Sequence, residues 1–390
     1  MSQKYKYQLI ILGDPGSVAD EITKLFFSSV EDLKMPPDSF EVITRSDFSQ
    51  AYSGNQPGFV VYFGNKQGHH KDLSEIDSLI SEGAIILPVF YDSFKLEIPK
   101  SLKNQNGLKY DDSQKQKIVN LALESYGKLR SSRKVFISYK RNESTSVAIQ
   151  LYEALEKSNF DVFLDTHSIK QGEPFQEELW HRMSDSDVIV ILNTPGFLDS
   201  EWCKEEIAEA NAKQIGVIQL IWPGHKMEDT NEVCIPYQLR ASDFEDGIFQ
   251  DKDHSRLQEY IVRGISSGVE SLRARNLASR QDSLITEFLI AANKAGKSLQ
   301  LQPERIITED LGSNRRRLFV PSVGVPQSMD CNQSEEIKKE IADYEVDQIH
   351  LIYDDLRIRD KWLKHLDWLN QYLEIKTIKK QEFDLWLKQN

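Results

Sequence analysis

VFISY at 135–139, DVFLD at 161–165, DVIVIL at 187–192 and GVIQLI at 216–221 are the four runs that decide the fold of this chain. Each run is short, almost wholly apolar and rich in β-branched residues, which favours a strand that is buried on both faces. The segments between the runs carry apolar residues at helical spacing, such as Val147, Leu151 and Leu155. Strands that alternate with amphipathic helices in this way predict a parallel sheet covered by helices on both sides.

Ligand sites in such sheets form at the carboxyl ends of the strands. The polar segments that we expect at that edge are 138–141, 165–172, 193–194 and 202–206. They come from four different connections along the chain, so a site built there depends on the sheet to bring them together.

Four motifs in this stretch occur in the order and spacing of one known family. They are FISY at 136–139, Asp165 with a loop that ends in GEP at 172–174, SDVIVIL at 186–192 and SEWCKEE at 200–206. Together they resemble a Toll/interleukin-1 receptor (TIR) domain. The resemblance covers about a third of the chain and implies a flavodoxin-like parallel sheet, which we assign to residues 133–268.

The resemblance also implies two alternative activities. Many members of the family cleave NAD at the nicotinamide–ribose bond, whereas others are scaffolds without catalysis. In both groups the loop that corresponds to 166–174 usually mediates self-association, and it gates the site. NAD would be the substrate, and neither a metal nor a further cofactor is expected, because one carboxylate beside the positively charged ribose suffices and the leaving nicotinamide needs no proton.

Glu206 is the predicted catalytic residue, since it matches the glutamate of the family's Trp-Cys-x-x-Glu motif. It follows Trp202 by four residues, so the two share one face of a predicted helix. The predicted substrate-binding residues are Ser138, Tyr139, Lys140, Arg141, Asp165, Asn193 and Trp202.

Structural alternatives stay open for several of these residues. The segment 138–141 also fits a polar loop with a helix cap, Asp165 fits a residue that orients its loop, and Trp202 fits the hydrophobic core equally well. Asn193-Thr194 stands where the family often has a serine, which weakens the assignment of a ligand contact there.

Residues 1–130 repeat the same architecture less clearly. Apolar runs at 7–12, 40–44, 59–63 and 84–90 predict a degenerate second flavodoxin-like, TIR-like unit. GDPG at 13–16 predicts a tight turn and not a phosphate-binding loop, because the remaining glycines and the lysine are missing. Since Leu73 or a neighbour falls where Glu206 lies in the other unit, we expect a non-catalytic, regulatory domain for sensing, assembly or autoinhibition.

Residues 283–390 predict a small α/β module for sensing or assembly. We expect one helix to end near Gly268 and another, beginning at about Ser283, to end at Gly296. Arg315-Arg316-Arg317 is conspicuous in an acidic protein. This run fits a binding site for a phosphorylated signal molecule or for a protein trigger. It also fits a solvated loop whose arginines pair with nearby carboxylates.

Composition limits the partners. The chain has 390 residues and a formal net charge of −13, which opposes nonspecific binding to nucleic acid or anionic lipid. No apolar run approaches the length of a membrane span, and the amino terminus lacks the apolar core of a signal peptide. Three distant cysteines, Cys203, Cys234 and Cys331, suit neither a disulfide framework nor a zinc site. We therefore expect a cytoplasmic protein.

Two functions from different classes follow. The first is an NAD-cleaving enzyme, activated by assembly and acting as a bacterial immune effector against phage. The second is a non-catalytic TIR adaptor that signals through contacts between TIR domains. Glu206 within the full motif favours the enzyme.

Overall fold

The computed structural model describes residues 7–52, 58–82, 84–126, 132–164, 175–197, 215–225, 234–302, 305–341 and 344–390. The chain divides into two compact units, residues 1–131 and residues 132–390. The sequence-based prediction of an α/β fold with flavodoxin-like parallel sheets is confirmed, because each unit contains a parallel sheet of five strands.

The first unit is built on one parallel sheet with the strand order β2-β1-β3-β4-β5. Its strands are β1 (Tyr7–Gly13), β2 (Phe40–Thr44), β3 (Gly58–Phe63), β4 (Ile85–Phe90) and β5 (Leu108–Lys109). Its described helices are α1 (Val18–Asp32), α2 (Phe48–Ala51), α3 (Leu73–Ser81), α4 (Phe94–Glu97) and α5 (Lys115–Ser125). The four predicted strands are present, and the two-residue edge strand β5 was not predicted because it is too short to show a pattern.

The second unit begins with another parallel sheet, and its strand order, β7-β6-β8-β9-β10, is equivalent to that of the first. The strands are β6 (Lys134–Ser138), β7 (Asp161–Leu164), β8 (Val188–Asn193), β9 (Gly216–Ile221) and β10 (Cys234–Gln238). The helices α6 (Arg141–Lys157) and α7 (Phe175–Ser184) pack against this sheet.

Both faces of this second sheet are buried. Val188 and Val190 belong to one apolar cluster together with Val147 and Leu151 of α6, while Ile189 belongs to a separate cluster with residues of α7. Alternate residues of one strand therefore lie in two different cores, which explains why the strand sequences are apolar throughout.

Strand β10 is not among the four apolar runs from which the sequence predicted this sheet. The strand contains Pro236 and exposes Ile235. It pairs only with β9 among the described strands. Proline and partial exposure are tolerated at a sheet edge, and they remove the apolar signature of a central strand.

One continuous helix, α8 (Glu259–Lys294), replaces the two separate helices that we expected before Gly268 and after Ser283. Its first half carries Ile261, Ile265 and Val269 in the core of the second sheet. Its second half carries Ile285 and Phe288 in the core of a third sheet. Burial on two sheets outweighs the cost of glycine within a helix, about 1 kcal/mol per residue.

The third sheet has the order β11-β12-β13-β14-β15, with the first two pairings antiparallel and the last two parallel. Its strands are β11 (Leu299–Leu301), β12 (Ile307–Gly312), β13 (Arg315–Ser322), β14 (Glu345–Tyr353) and β15 (Lys376–Lys379). The helices α9 (Ser328–Glu340), α10 (Asp360–Tyr372) and α11 (Phe383–Gln389) complete this carboxyl-terminal module.

The three consecutive arginines lie on strand β13, so the expectation of a loop was wrong. Arg317 pairs with Glu309 at 2.8 Å, and Arg315 pairs with Asp347 at 3.2 Å. The pairing with carboxylates agrees with the second interpretation of this motif.

Within the second unit, the carboxyl-terminal module contacts helix α7. Arg359 forms an ion pair with Glu178, and the backbone N–H of Val325 donates to Asp185 at 2.9 Å. The rings of His181 and Trp362 stack with their centroids 5.5 Å apart. Helix α7 is therefore held by a charge pair and a ring stack, and the residue that follows it by a hydrogen bond from a backbone N–H.

Candidate functional site

Three neighbouring strands end at one edge of the second sheet. Because β6, β8 and β9 are parallel and in register, Ser138 lies beside Ile191, and Asn193 lies beside Ile221. The residues that follow these strands therefore meet, as the sequence predicted for a ligand site.

A network of side chains joins the loop after β6 to the turn after β8. Lys140 Nζ donates to the carbonyl oxygen of Gly196 at 2.9 Å and lies 2.8 Å from Glu143 Oε1. The backbone N–H of Gly196 donates to Glu143 Oε2 at 3.0 Å. A Cβ atom on residue 196 would lie 2.1 Å from Lys140 Nζ. We call Lys140, Glu143 and Gly196 the edge clamp; a side chain at residue 196 would displace the ends of the other two members.

Glu143 is an electrostatic centre of this clamp. Its burial tends to raise the pKa of the carboxyl group, but hydrogen bonds from Lys140 and Gly196 and the charge of Lys140 outweigh that effect and lower it. The carboxylate is therefore ionised at neutral pH and holds both loops through charge-assisted hydrogen bonds. Glu143 was not predicted as a site residue, since a glutamate in the first turn of a helix reads as a solvated charge.

Among the described polar residues predicted for the site, Asn193 is the most deeply buried, with no exposed surface. Among the residues that the structure describes, none makes a hydrogen bond with its Oδ1 or Nδ2 atom. An unsatisfied buried polar group costs about 1–3 kcal/mol, so such a group in a native fold calls for an explanation. The side-chain amide can both donate to and accept from a ligand at the end of β8.

The other described candidates divide between the edge and the core. Lys140 is half-buried in the edge clamp, and Arg141 is exposed at the start of α6. Ser138 is buried at the last position of β6. Tyr139 belongs to the same apolar cluster as Val147 and Leu151, so its position favours a packing role over contact with a ligand.

Asp165, Trp202 and Glu206 lie outside the described residues, as does the loop 166–174. Their predicted roles stay predictions. In sequence, Glu206 falls between Asn193 at the end of β8 and Gly216 at the start of β9.

Metal-binding and thiol chemistry find no support in the described part of the chain. No group of three or more His, Cys, Asp or Glu side chains there is arranged to hold a metal ion. Burial raises the pKa of the Cys234 thiol, and likewise that of Cys331, to about 11. Both thiols are free and buried, so they are protonated at neutral pH and are poor nucleophiles. None of the described helices is long and apolar enough to cross a membrane.

Comparison with known proteins places this sheet in a family. The family model for the TIR domain matches residues 135–260, which include β7 to β10 and nearly all of β6. A probable 2′ cyclic ADP-D-ribose synthase of Brachypodium distachyon is 27% identical over 174 residues, which are 41% of this chain and 78% of that protein.

A bacterial relative matches a shorter part. A 2′ cyclic ADP-D-ribose synthase of Bacteroides thetaiotaomicron is 23% identical over 88 residues, which are 23% of this chain and 31% of that protein. The motifs, the strand order of the second sheet and the family match agree, and the chain therefore contains a TIR domain at residues 135–260.

Proposed function

We propose that the TIR domain cleaves NAD at the bond between nicotinamide and ribose. The observation that carries this proposal is that both relatives are named as synthases of 2′ cyclic ADP-D-ribose. A cyclic ADP-ribose retains the ADP-ribose part of NAD without the nicotinamide, so an enzyme that forms it from NAD must break that bond.

The chemistry needs no redox step and no resident metal. The bond from ribose C1′ to the nicotinamide nitrogen breaks, and its electron pair leaves with the neutral nicotinamide. Positive charge then develops on C1′ and the ring oxygen. Water attacks C1′ and loses a proton to give ADP-ribose, or a hydroxyl group of the same molecule attacks and loses its proton to give a cyclic product.

In this proposal Glu206 is the carboxylate that opposes the positive charge on the ribose. A preorganised charge of this kind acts most strongly where water is excluded. The buried amide of Asn193 is a hydrogen-bonding group for the substrate, and the edge clamp fixes the two loops between which the substrate lies. The clamp residues thus position the site and do not take part in bond cleavage.

We further propose that activity depends on assembly through the loop 166–174, and that the protein is a cytoplasmic effector of bacterial immunity. Bringing many weak sites together raises their local concentration without new chemistry. Nicotinamide release per molecule should therefore rise with protein concentration. A constant turnover per molecule across a wide dilution series would contradict the role of assembly but not the cleavage reaction.

The decisive test is the substitution Glu206→Gln in full-length protein. Glutamine keeps the size and most of the hydrogen bonding of glutamate but removes its charge. We expect nicotinamide release from NAD to fall about a hundred- to a thousandfold, with little change in melting temperature, as is usual for substitutions outside a core (within about 0.5 kcal/mol).

Glu205→Gln is the matched control, since it removes the same charge one residue earlier, and it should stay active. Oligomer size has to be measured for each variant, so that lost assembly is not mistaken for lost chemistry. If the wild type releases no nicotinamide even when it is assembled, the adaptor function replaces the enzyme.

A further inference from the structure

A cavity of about 440 Å³ opens in the first unit at the carboxyl edge of its sheet, where β1 and β2 end. Its lining combines apolar residues and Gly13 with four polar or charged residues: Ile11, Leu12, Gly13, Pro15, Ala19, Thr44, Arg45, Ser46 and Asp72. Pockets for small molecules span about 300–1,000 Å³ and combine an apolar lining with a few fixed polar groups. In size, position and lining, this cavity has the properties of a ligand site.

Asp72 is the fixed polar group of this cavity. Its side chain has no exposed surface, and Oδ2 accepts a hydrogen bond of 2.8 Å from the backbone N–H of Gly13. Oδ1 accepts no aligned hydrogen bond from any described residue, although Arg45 Nη1 lies 2.6 Å away. Oδ2 is thus hydrogen-bonded to the backbone, whereas Oδ1 interacts with the charge of Arg45.

The backbone of Asp72 supports this interpretation, because it adopts the left-handed conformation with φ of 55°. Such a conformation is uncommon for a residue other than glycine, and it persists where the surrounding structure holds it. Together with its burial, it shows that the carboxylate is presented at one fixed position beside the cavity.

Arg45 is a displaceable partner. Its side chain is 63% exposed, and an ion pair with one exposed, flexible member contributes about 1 kcal/mol or less. A ligand that donates hydrogen bonds to Oδ1 can therefore replace the guanidinium group. Arg45 would then be available to an anionic group of the same ligand.

The surrounding charges limit how negative that ligand can be. Helix α1 begins beside the cavity and carries Asp20 and Glu21 in its first turn, and these carboxylates oppose an anion at that helix end. Lys71 is engaged by Asp14 at 2.6 Å. Of the described charged residues that line the cavity, only Arg45 is a cation, which suits no more than one phosphate group.

We propose that the first unit binds a ribonucleoside or ribonucleoside monophosphate in this cavity. The two adjacent hydroxyl groups of the ribose donate hydrogen bonds to Asp72, the base lies against apolar residues of the lining such as Pro15 and Ala19, and Arg45 turns from Asp72 to the phosphate. This site is separate from the edge of the TIR sheet and does not depend on the cleavage of NAD. It gives the first unit a sensing role of defined chemistry.

The test is hydrogen exchange measured by mass spectrometry on the full-length protein with and without AMP. This measurement locates binding along the chain, so a nucleotide held by the TIR domain is distinguished from one held by the first unit. We expect AMP to slow exchange in peptides that contain residues 11–19 and 44–46. 2′,3′-Dideoxy-AMP, which lacks both ribose hydroxyls, should protect the same peptides at least about tenfold more weakly, as expected for lost hydrogen bonds to a charged group.

Two substitutions separate the parts of the proposed site. Asp72→Asn keeps an acceptor for Gly13, and asparagine tolerates the left-handed backbone, but it can no longer accept from both hydroxyls; we expect affinity for AMP to fall about tenfold or more. Arg45→Ala should weaken binding of AMP while leaving binding of adenosine unchanged or tighter.

Equal protection by AMP and its dideoxy analogue overturns the proposal, as does AMP protection that is confined to the second unit. Should Asp72→Asn fail to fold, as judged from its melting temperature, the analogue and the exposed Arg45→Ala variant decide the question by themselves.

Discussion

The two parallel sheets of this protein have the same strand order, yet their carboxyl edges are held together in opposite ways. In the first unit, the carboxylate of Asp72 comes from the loop after the third strand, and it binds the backbone N–H of Gly13 at the end of the first strand. In the TIR domain, the carboxylate of Glu143 comes from the first connection and binds the backbone N–H of Gly196 after the third strand.

Each arrangement has a glycine at the point of closest approach. A Cβ atom on residue 13 would lie 2.0 Å from the carbonyl oxygen of Phe63, and one on residue 196 would lie 2.1 Å from Lys140 Nζ. The first contact is with rigid backbone and the second with the end of a flexible side chain. Two sheets of the same topology can therefore have different contacts at their carboxyl edges, because a site depends on the side chains at the strand ends and not on the fold.

The largest expected difference between the two units concerns their buried carboxylates. Asp187 pairs with Arg273 at 2.9 Å, and neither side chain has exposed surface, whereas Asp72 pairs with the exposed Arg45. Arg273→Met should lower the free energy of unfolding by about 3–5 kcal/mol, since it leaves a buried charge uncompensated. Arg45→Met should cost about 1 kcal/mol or less. Urea denaturation measures the free energy of unfolding of both variants. Equal losses would show that the buried and the exposed arginine stabilise their carboxylates equally.

The two glycines provide the next comparison. Gly13→Ala should destabilise the protein by about 3 kcal/mol, because φ is +87° there and the new methyl group meets backbone atoms. Gly196→Ala should cost about 1 kcal/mol, because Lys140 can move, but it should open the edge clamp and reduce nicotinamide release.

Gly16→Ala is the control for backbone strain alone, since φ is +55° and a Cβ atom there meets nothing within 4 Å. If Gly13→Ala lowers the free energy of unfolding no more than Gly16→Ala does, the close approach of β1 to β3 does not make residue 13 sensitive to a side chain.

Acidification should destabilise the second unit, which contains two buried histidines. Burial lowers the pKa of His181, and likewise that of His350, to about 4, against about 6.5 in an unfolded chain. Between these values the unfolded chain binds protons that the folded protein does not. The stability present above about pH 6.5 is therefore lost as the pH falls towards 4, by about 1–2 kcal/mol per histidine at pH 5.

The measurement is the melting temperature between pH 7.5 and pH 5. His181→Phe and His350→Phe keep the ring stacks on Trp362 and Phe319 but cannot take up a proton, so the double variant should lose most of this pH dependence. A wild type whose melting temperature does not change over this range would show that the two rings titrate normally.

The last comparison concerns the connection after the second strand of each unit. This connection contains the four-residue helix α2 in the first unit and the ten-residue helix α7 in the TIR domain. Helix α7 directly follows the loop predicted to mediate assembly, and Arg359 of the carboxyl-terminal module pairs with its Glu178. Arg359→Ala should cost about 1.5 kcal/mol, the lower end for a hydrogen bond to a charged group, because Glu178 keeps its ion pair with Arg182. It should also lower the protein concentration at which nicotinamide release begins, because the module then restrains α7 less.

Arg182→Ala is the matched control for that variant. Arg182 also pairs with Glu178, at 2.8 Å, but it lies on α7 itself, so its removal leaves the module in contact through Arg359. If both variants shift the protein concentration at which nicotinamide release begins by the same amount, the charge balance at Glu178 controls assembly and the contact with the module does not.

Much of this fold was predictable because its information is local. The strands β6, β8 and β9 are continuous apolar runs, and the intervening helix α6 has apolar residues at helical spacing, so the sheet follows from periods that a single segment displays. The edge strand β10 was missed because an exposed strand with a proline has no such period.

The edge at which the site was expected was equally predictable, since parallel strands bring their carboxyl ends together. Its individual contacts were not. Glu143 meets Gly196 across 53 residues of sequence, and Asp72 meets Gly13 across 59, and no local pattern indicates which carboxylate reaches which backbone N–H.

The sequence by itself therefore determined the strands, the sheet type and the TIR motifs with Glu206 among them, because hydrophobic period and motif spacing are properties of short segments. Only the tertiary structure decided that α8 continues through both expected helix ends, that the three arginines lie on β13 and that Asp72 faces a cavity. The physical reason is the same in each case: burial and hydrogen bonding between distant segments outweigh local preferences of about 1 kcal/mol per residue.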